Sequence, residues 1–157
     1  MCHYCGCRQV PLIRDYIAEH ERVTDLGDRA LRALGQGDPE AAGALVSRMA
    51  EELRSHWRGE EDGVFAVMAE SDQLYADYIA PLVEEHRSLD AFLQGIDLAD
   101  TEHVARLRRE VDDLHEHISR EEDGLFPATL VTLGGPQWDR AIAAWEAAHP
   151  GRTLVTD

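Results

Sequence analysis

Apolar residues recur every three or four positions along most of the chain, which is the spacing of one face of an α-helix. The first segment carries such a stripe at Ile13, Ile17, His20, Val23, Leu26 and Leu34. Three later segments carry similar stripes, at Leu45, Met49, Leu53 and His56, at Leu82, Val83, His86, Leu89 and Leu93, and at Val104, Leu107, Val111, Leu114 and His117. The pattern predicts four long helices, each with a histidine on its apolar face.

Helix-breaking and helix-capping residues separate these stripes. Gly35-Gln36-Gly37 predicts the end of the first helix, and Asp38-Pro39 predicts the N-cap and first turn of the second. The second pattern fades near Ser71-Asp72, and the third helix is expected to begin near Pro81 and to end around Gly95.

Asp100-Thr101 predicts the N-cap of the fourth helix, which breaks by Gly134-Gly135. We expect Pro127 to bend the end of this helix. Pro136 can open a short fifth helix that covers the core with one apolar face, formed by Trp138, Ile142 and Trp145.

Four long helices with short connections predict an all-α fold, an antiparallel up-and-down four-helix bundle with a short fifth C-terminal helix. The length of 157 residues suits one core. We therefore divide the chain into an N-terminal tail (1–9), the bundle (10–132) and the C-terminal helix with its tail (133–157).

The composition narrows the classes of partner. The net charge of −16 disfavours nucleic acid and anionic lipid as partners, although part of this charge could face a bound cation inside the protein. No apolar run approaches the roughly 20 residues of a membrane span, and no signal peptide opens the chain. A cytoplasmic location is the expectation, and the oligomeric state stays open.

The chain repeats a short motif. HWRGEEDGVF (56–65) and HISREEDGLF (117–126) share a histidine, Glu-Glu-Asp-Gly and phenylalanine in register. AEHER (18–22) resembles EEHRS (84–88). The first helix therefore echoes the third and the second echoes the fourth, which indicates a symmetric site.

The spacing of the four histidines predicts that they meet. Residues on neighbouring antiparallel helices lie level when they are equidistant from the turn between them. The midpoints of His20 and His56, of His56 and His86, and of His86 and His117 each fall at a predicted break. One turn after the second and fourth histidines come Glu60 and Glu121, about 40° around the helix.

Four imidazoles and two carboxylates inside an apolar bundle would be costly without a cation. A donor set of histidine and carboxylate, without thiolate, suits iron, manganese or zinc. Two carboxylates that can bridge favour a pair of ions over one. The predicted ligands are His20, His56, Glu60, His86, His117 and Glu121.

Neighbouring residues are weaker candidates. Asp90 follows His86 by one turn and is a candidate seventh ligand or a hydrogen-bond partner for a ligand. Glu61 and Glu122 point about 140° away from the site histidines, and Glu122 is the better substitute ligand. Gly63 and Gly124 recur on the site face, where they either leave room beside the metals or allow close helix packing.

Besides His3 in the N-terminal tail, three further histidines fall outside the pattern. His115 is predicted to face water, His103 lies roughly 21 Å from His117 along the helix axis, and His149 belongs to the C-terminal tail.

These residues resemble the hemerythrin-like family, also called the HHE cation-binding domain. The resemblance covers roughly residues 10 to 132 and rests on the order lone His, His-x-x-x-Glu, lone His, His-x-x-x-Glu. It implies a four-helix bundle that holds two iron ions (Fe²⁺/Fe³⁺) with an oxo or hydroxo bridge. Oxygen-carrying members place a histidine where Asp90 stands, and an aspartate five residues after the last histidine, where Glu122 stands. These departures disfavour simple dioxygen carriage.

Three cysteines, Cys2, Cys5 and Cys7, open the chain with His3 among them. A structural disulfide is not expected in a reducing cytoplasm. The tail could bind a soft metal such as Zn²⁺, reduce the iron site, help the chain to dimerise, or remain a flexible reduced segment.

The functional prediction is an iron protein that binds and reduces a small diatomic molecule or peroxide, with a protein reductant as a candidate partner. Catalytic turnover would make it a peroxidase- or catalase-like enzyme. The alternatives are a sensor or iron donor without turnover, a dioxygen carrier, and a structural bundle with a single zinc ion.

Overall fold

The computed structural model describes residues 6–154 of the chain. Within this range the fold is all-α, and no strand occurs between residues 6 and 154. A short 3₁₀ turn, Cys7–Gln9, precedes the first long helix. The helices that follow are α1 (Pro11–Gly35), α2 (Pro39–Gly59), α3 (Ala66–Ser71), α4 (Gln73–Gln94), α5 (Thr101–Arg120), α6 (Phe126–Thr132) and α7 (Gly135–Ala148).

Three aspartates cap the starts of α2, α4 and α5. The side chain of Asp38 accepts a hydrogen bond from the amide of Ala41, and Asp100 accepts one from Glu102. Both N-caps are as the sequence predicts. Asp72 plays the same part for α4, because its carboxylate accepts from the amide of Leu74. Each cap satisfies an amide that has no partner within the helix.

The prediction that the third helix begins near Pro81 is wrong. Helix α4 begins at Gln73 and contains Pro81 in its interior. The proline removes a hydrogen bond to the carbonyl of Asp77, but both residues are exposed, so water can satisfy that carbonyl. Ile79 is buried in the core and holds this first part of α4 against the protein.

Two π-helical segments interrupt the long helices at the repeated motif. The first segment, Glu60–Phe65, follows α2, and the second, Glu121–Leu125, follows α5. Pro127 lies in the first turn of α6, after the second segment. Ala66 occupies the matching position after the first segment. Both copies of the motif form a π-helical segment, although only the second is followed by a proline. The bend expected at Pro127 stays a prediction.

The core has two parts. One is built around Leu12, Tyr16, Phe65, Phe126 and Trp145, and the other around Val23, Met49, Leu53, Leu107 and Val111. Helix α1 contributes Tyr16 to the first part and Val23 to the second. His20 lies on α1 between these two residues. The polar site is therefore enclosed by apolar side chains on both sides along the helix axes.

Helix α1 packs against α2 and α5, and α2 also packs against α4. The predicted fifth helix is confirmed as α7, which lies on α2 and on the first π-helical segment. Trp145 is fully buried in the core, with Trp138 and Ile142 packed beside it. Among the described residues, no helix is both long and apolar enough to cross a membrane.

Candidate metal centre

The structure brings the four predicted histidines and two predicted glutamates together. His20 comes from α1, His56 from α2, His86 from α4 and His117 from α5. Glu60 and Glu121 begin the two π-helical segments. All six side chains are buried, and both glutamates have no exposed surface. The ring centroids of His20 and His56 are 4.6 Å apart, and those of His86 and His117 are 4.7 Å apart.

Each histidine ring is oriented by a second carboxylate on its outer nitrogen. The Nδ1 atom of His20 pairs with Glu122 at 2.9 Å, and that of His56 with Glu19 at 2.8 Å. Glu61 pairs with His86 at 2.8 Å, and Glu85 pairs with His117 at 2.7 Å. An ionised carboxylate only accepts, so each Nδ1 donates, and in the neutral ring the inward Nε2 keeps a lone pair. The four rings are thus arranged as ligands.

These four carboxylates follow the repeat. Glu19 and Glu85 directly precede the lone histidines, whereas Glu61 and Glu122 directly follow the predicted ligand glutamates. The sequence analysis expected Glu61 and Glu122 to point about 140° away from the site histidines, and it did not consider Glu19 or Glu85. The sequence signal for Glu19 and Glu85 was a Glu-His pair in both copies of the lone-histidine motif.

Several inward polar atoms have no hydrogen-bond partner among the described residues. They are both carboxylate oxygens of Glu60, both of Glu121, and the Nε2 atom of His20. A buried carboxylate without partners costs several kcal/mol. Five orphaned acceptor atoms facing one another are therefore the expected environment of a cation.

The spacing of these atoms fits ligands that share an ion. The Nε2 atoms of His86 and His117 are 2.9 Å apart. Two nitrogens that each lie about 2.1 Å from an ion, at a right angle, are about 3 Å apart. The Nε2 atom of His56 lies 3.3 Å from Glu60, and that of His117 lies 2.9 Å from Glu121.

Two groups of residues could each hold an ion. The first is His20, His56, Glu60 and Glu121, and the second is His86, His117 and Glu121. Glu121 belongs to both groups, because its Oε2 lies 3.2 Å from His20 while its Oε1 lies 2.9 Å from His117. The donor set and spacing fit a metal centre.

The carboxylates of the site raise the pKa of three of its histidines. Burial lowers the pKa of His86, but hydrogen bonds and charges from the surrounding carboxylates outweigh it and raise that pKa to about 9. The same opposition raises the pKa of His20 and His117. Burial raises the pKa of Glu19, but hydrogen bonds from His149 and His56 lower it to about 2. A cation would take over the attraction that now favours imidazolium.

The weaker candidate ligands do not join the cluster. The carboxylate of Asp90 accepts hydrogen bonds from Arg54 at 2.9 Å and from Gln94 at 2.7 Å. Glu122 faces the outer nitrogen of His20 and pairs with Arg8. We therefore assign Glu122 the role of orienting His20, and Asp90 a surface ion pair.

The histidines outside the cluster differ in their exposure to solvent. His115 is exposed as predicted, and His103 accepts a hydrogen bond from the amide of Asp97. His149, which the sequence interpretation left in the tail, is buried. Its Nε2 lies 2.7 Å from Glu19. No sequence spacing could reveal this contact, because it depends on how α7 packs.

The repeated glycines allow close packing and do not make room at the site. A Cβ atom on Gly63 would lie 3.1 Å from the carbonyl oxygen of Ala141 and 3.2 Å from the Tyr16 hydroxyl. A Cβ atom on Gly124 would lie 2.5 Å from the Tyr78 hydroxyl. None of these neighbours is a predicted ligand, so the idea of space beside the metals is corrected.

The cysteine tail lies beyond this description. Cys2 and Cys5 are outside the described residues, as is the side chain of Cys7. The zinc site and the thiol roles considered for them stay predictions.

The fold and the site together define a helical metal-binding protein. A family model, the hemerythrin HHE cation binding domain, matches residues 12–129. The chain belongs to this family, as its motif order indicated. Neither a search of curated proteins nor a search of solved structures found a match to the chain.

Proposed function

We propose that this chain holds a di-iron centre that binds and reacts with dioxygen, peroxide or nitric oxide. One observation carries the proposal: the two oxygens of Glu121 divide between the two histidine pairs, Oε2 towards His20 and Oε1 towards His117. A carboxylate in this position can bridge two ions. Histidine and carboxylate ligands without thiolate suit iron, and the family supports the same metal.

The residues divide into two ligand sets that share carboxylates. His20 and His56 would bind one iron, and His86 and His117 would bind the other. Glu60 lies 3.7 Å from His20 and 3.8 Å from His86, which supports a second bridge. The contacts of α1 with α2 and α5, and of α2 with α4, fit the antiparallel four-helix bundle that the sequence predicts.

A cavity of about 310 Å³ supports the binding of a small molecule at the second histidine pair. Its lining includes the exposed Ser88 and Glu116 as well as the buried His86 and His117, so it joins the surface to the site. Trp57 and Leu114 form apolar walls. The mouth carries Glu85, Glu110, Asp113 and Glu116 against Arg120. This excess of negative charge favours uncharged ligands over anions.

Bound iron would supply the exchange of electrons with the small molecule. The chain supplies the rest of the environment. The four orienting carboxylates hold the rings, and the two apolar core parts enclose the site along the helix axes. Tyr16 is fully buried, and its hydroxyl donates a hydrogen bond to the carbonyl of Gly59. This bond holds the backbone directly before Glu60 in place. We place this chemistry in the cytoplasm, with a protein reductant as the electron source.

The test uses protein loaded anaerobically with ferrous iron and then mixed with hydrogen peroxide or nitric oxide. Catalytic loss of peroxide, with the absorption changes of an iron pair, supports an enzyme. Adducts with nitric oxide or dioxygen that form and release without turnover support a sensor or carrier. A protein that takes up no iron, or a single zinc ion without absorption, contradicts the proposal. As a control, the Glu84→Gln variant should behave like the original protein in each assay, because Glu84 is exposed and pairs with Arg87 at the surface.

A further inference from the structure

The C-terminal helix reaches the predicted metal centre through one side chain. His149 follows α7 and is 4% exposed. Its Nδ1 lies 2.7 Å from the carbonyl oxygen of Trp145, and its Nε2 lies 2.7 Å from Oε1 of Glu19. The ring stacks on Trp145, with centroids 4.3 Å apart and planes 21° apart. The imidazole is therefore held on both nitrogens and on one face.

Glu19 connects this histidine to a predicted ligand. Its second oxygen, Oε2, lies 2.8 Å from Nδ1 of His56. The inward nitrogen of the same ring lies 3.3 Å from Glu60. Close polar contacts thus run from His149 to Glu19, at 2.7 Å, and on through the hydrogen bond between Glu19 and His56.

The other three orienting carboxylates are held differently. Glu122 pairs with Arg8 and Glu85 with Arg120, and each of these arginines is partly exposed. Glu61 is itself 34% exposed. Glu19 is only 2% exposed, so it depends more on its protein partners than the other three carboxylates do. Apart from His149, the cationic groups near Oε1 of Glu19 are those of Arg152, at 3.7 Å, and Arg22, at 3.9 Å. Both lie beyond hydrogen-bond distance.

The backbone contact between the helices supports the same connection. A Cβ atom on Gly59 would lie 3.4 Å from Cε1 of His149. Cα of Trp145 would lie 3.5 Å from the same Cβ, so α7 packs closely on α2 directly before Glu60. The family model ends at residue 129, so α7 and His149 lie outside the part of the chain that it describes.

We propose that His149 is a positioning residue for the metal centre, which fixes Glu19 and through it the orientation of His56. The C-terminal helix is then part of the site and not only a cover for the core. The consequence for metal binding rests on the proposed function, whereas the effect on the His56 ring does not. Loss of His149 selectively weakens the ion bound by His20 and His56, and leaves the ion bound by His86 and His117 unchanged.

The first experiment examines metal-free protein and does not depend on the proposed function. Long-range proton–nitrogen NMR correlations report which ring nitrogen of each histidine carries a proton. We expect His149→Phe to change the pattern of His56 and to leave that of His117 as in the original protein. The control His115→Phe, at an exposed histidine, should change neither. An unchanged His56 pattern in folded His149→Phe protein would overturn the proposal.

The second experiment measures the affinities of the two ions by competition with a chelator. His149→Phe should lower the affinity for the ion bound by His20 and His56 by about tenfold or more, the range found when a hydrogen-bond partner of a metal ligand is removed. His149→Gln can still donate to Glu19 and should recover most of that affinity. Equal loss of both ions in His149→Phe, or no rescue by the folded glutamine variant, would show a structural role alone. A protein that binds no metal in its original form refutes the proposed function but not the NMR result.

Discussion

The ring centroids of the two histidine pairs are similarly spaced, at 4.6 and 4.7 Å, but the surroundings of the pairs differ. His20 and His56 are oriented by Glu122 and Glu19, whose side chains are 12% and 3% exposed. His86 and His117 are oriented by Glu61 and Glu85, whose side chains are 34% and 44% exposed. One pair is sealed by α1, α7 and the 3₁₀ turn, and the other borders the cavity.

This difference shows how a repeated motif can serve two purposes. The repeat supplies equivalent ligands on both sides, because the Nδ1 and Nε2 contacts correspond in the two halves. The segments outside the repeat make the halves unequal, since Arg8 and His149 both act on the buried half. Under the proposed function, the buried half would secure one ion and the open half would exchange small molecules.

The largest effect should follow loss of the carboxylate that both halves share. Glu121→Ala removes the residue that belongs to both ligand groups, so we expect the bound metal to fall from two ions per chain to nearly none. His56→Ala should spare the ion bound by the open half. Metal analysis of purified variants measures this, with circular dichroism to verify folding. Retention of both ions by the Glu121 variant would show that it does not bridge.

Loss of an orienting carboxylate should separate the halves. We expect Glu19→Gln to weaken one ion by about 10- to 100-fold, the usual effect of removing such a partner. Glu61→Gln should have a smaller effect, because water can reach the outer nitrogen of His86 and replace the lost acceptor. Chelator competition compares the two variants. Equal losses would mean that burial does not distinguish the halves.

Acid should weaken metal binding in both halves. The carboxylates raise the pKa of His86 to about 9 and raise those of His20 and His117. Protons on these rings compete with the metal at pH 7, so binding should release protons and affinity should rise with pH. We expect about a tenfold change per pH unit for each proton released. Calorimetry in buffers of different ionisation enthalpy measures the number of protons released on metal binding. Release of no protons would contradict the expected competition.

Filling the cavity should affect the open half alone. We expect Leu114→Trp to slow the binding of nitric oxide several-fold without changing the metal content, because Leu114 lines the cavity next to His86 and His117. Ser55→Trp is the matched control, since Ser55 lines a crevice of about 250 Å³ beside Glu19 and His149. Stopped-flow absorption gives both rates. A slower rate in the Ser55 variant alone would place the entrance on the other side.

The smallest effects concern the two glycines. Gly63→Ala should reduce the free energy of unfolding by about 1–3 kcal/mol, the usual cost of overpacking, because its new methyl meets the backbone of Ala141. Gly124→Ala should cost less, since the Tyr78 side chain can rotate away. Chemical denaturation of metal-free protein compares them. The reverse order would show that the Tyr78 hydrogen bond to the carbonyl of Arg120 matters more.

Helical periodicity and spacing were sufficient to predict the helical class and the meeting of the four histidines. The equidistant positions depend only on chain geometry, so they survive the error about where α4 begins. The π-helical segments could not be derived, because their i to i+5 hydrogen bonds leave the apolar spacing nearly unchanged over one turn. The repeated Glu-Glu-Asp-Gly marked their place without revealing their form.

Contacts between distant segments were beyond the sequence. The roles of Arg8 and His149 depend on how a tail turn and α7 dock, and local patterns carry no information about docking. The roles of Glu19 and Glu85 were closer to reach, since a glutamate precedes both lone histidines. Residues adjacent to a ligand in sequence can orient the ligand on the next helix.

The central claim is that two ions are held between unequal halves, and metal content tests it most directly. We would measure metals per chain by mass spectrometry on untagged protein from cells grown with added iron. The account predicts about two irons per chain, and any zinc beyond them would point to the cysteine tail. Iron near zero, or one zinc ion alone, would contradict it.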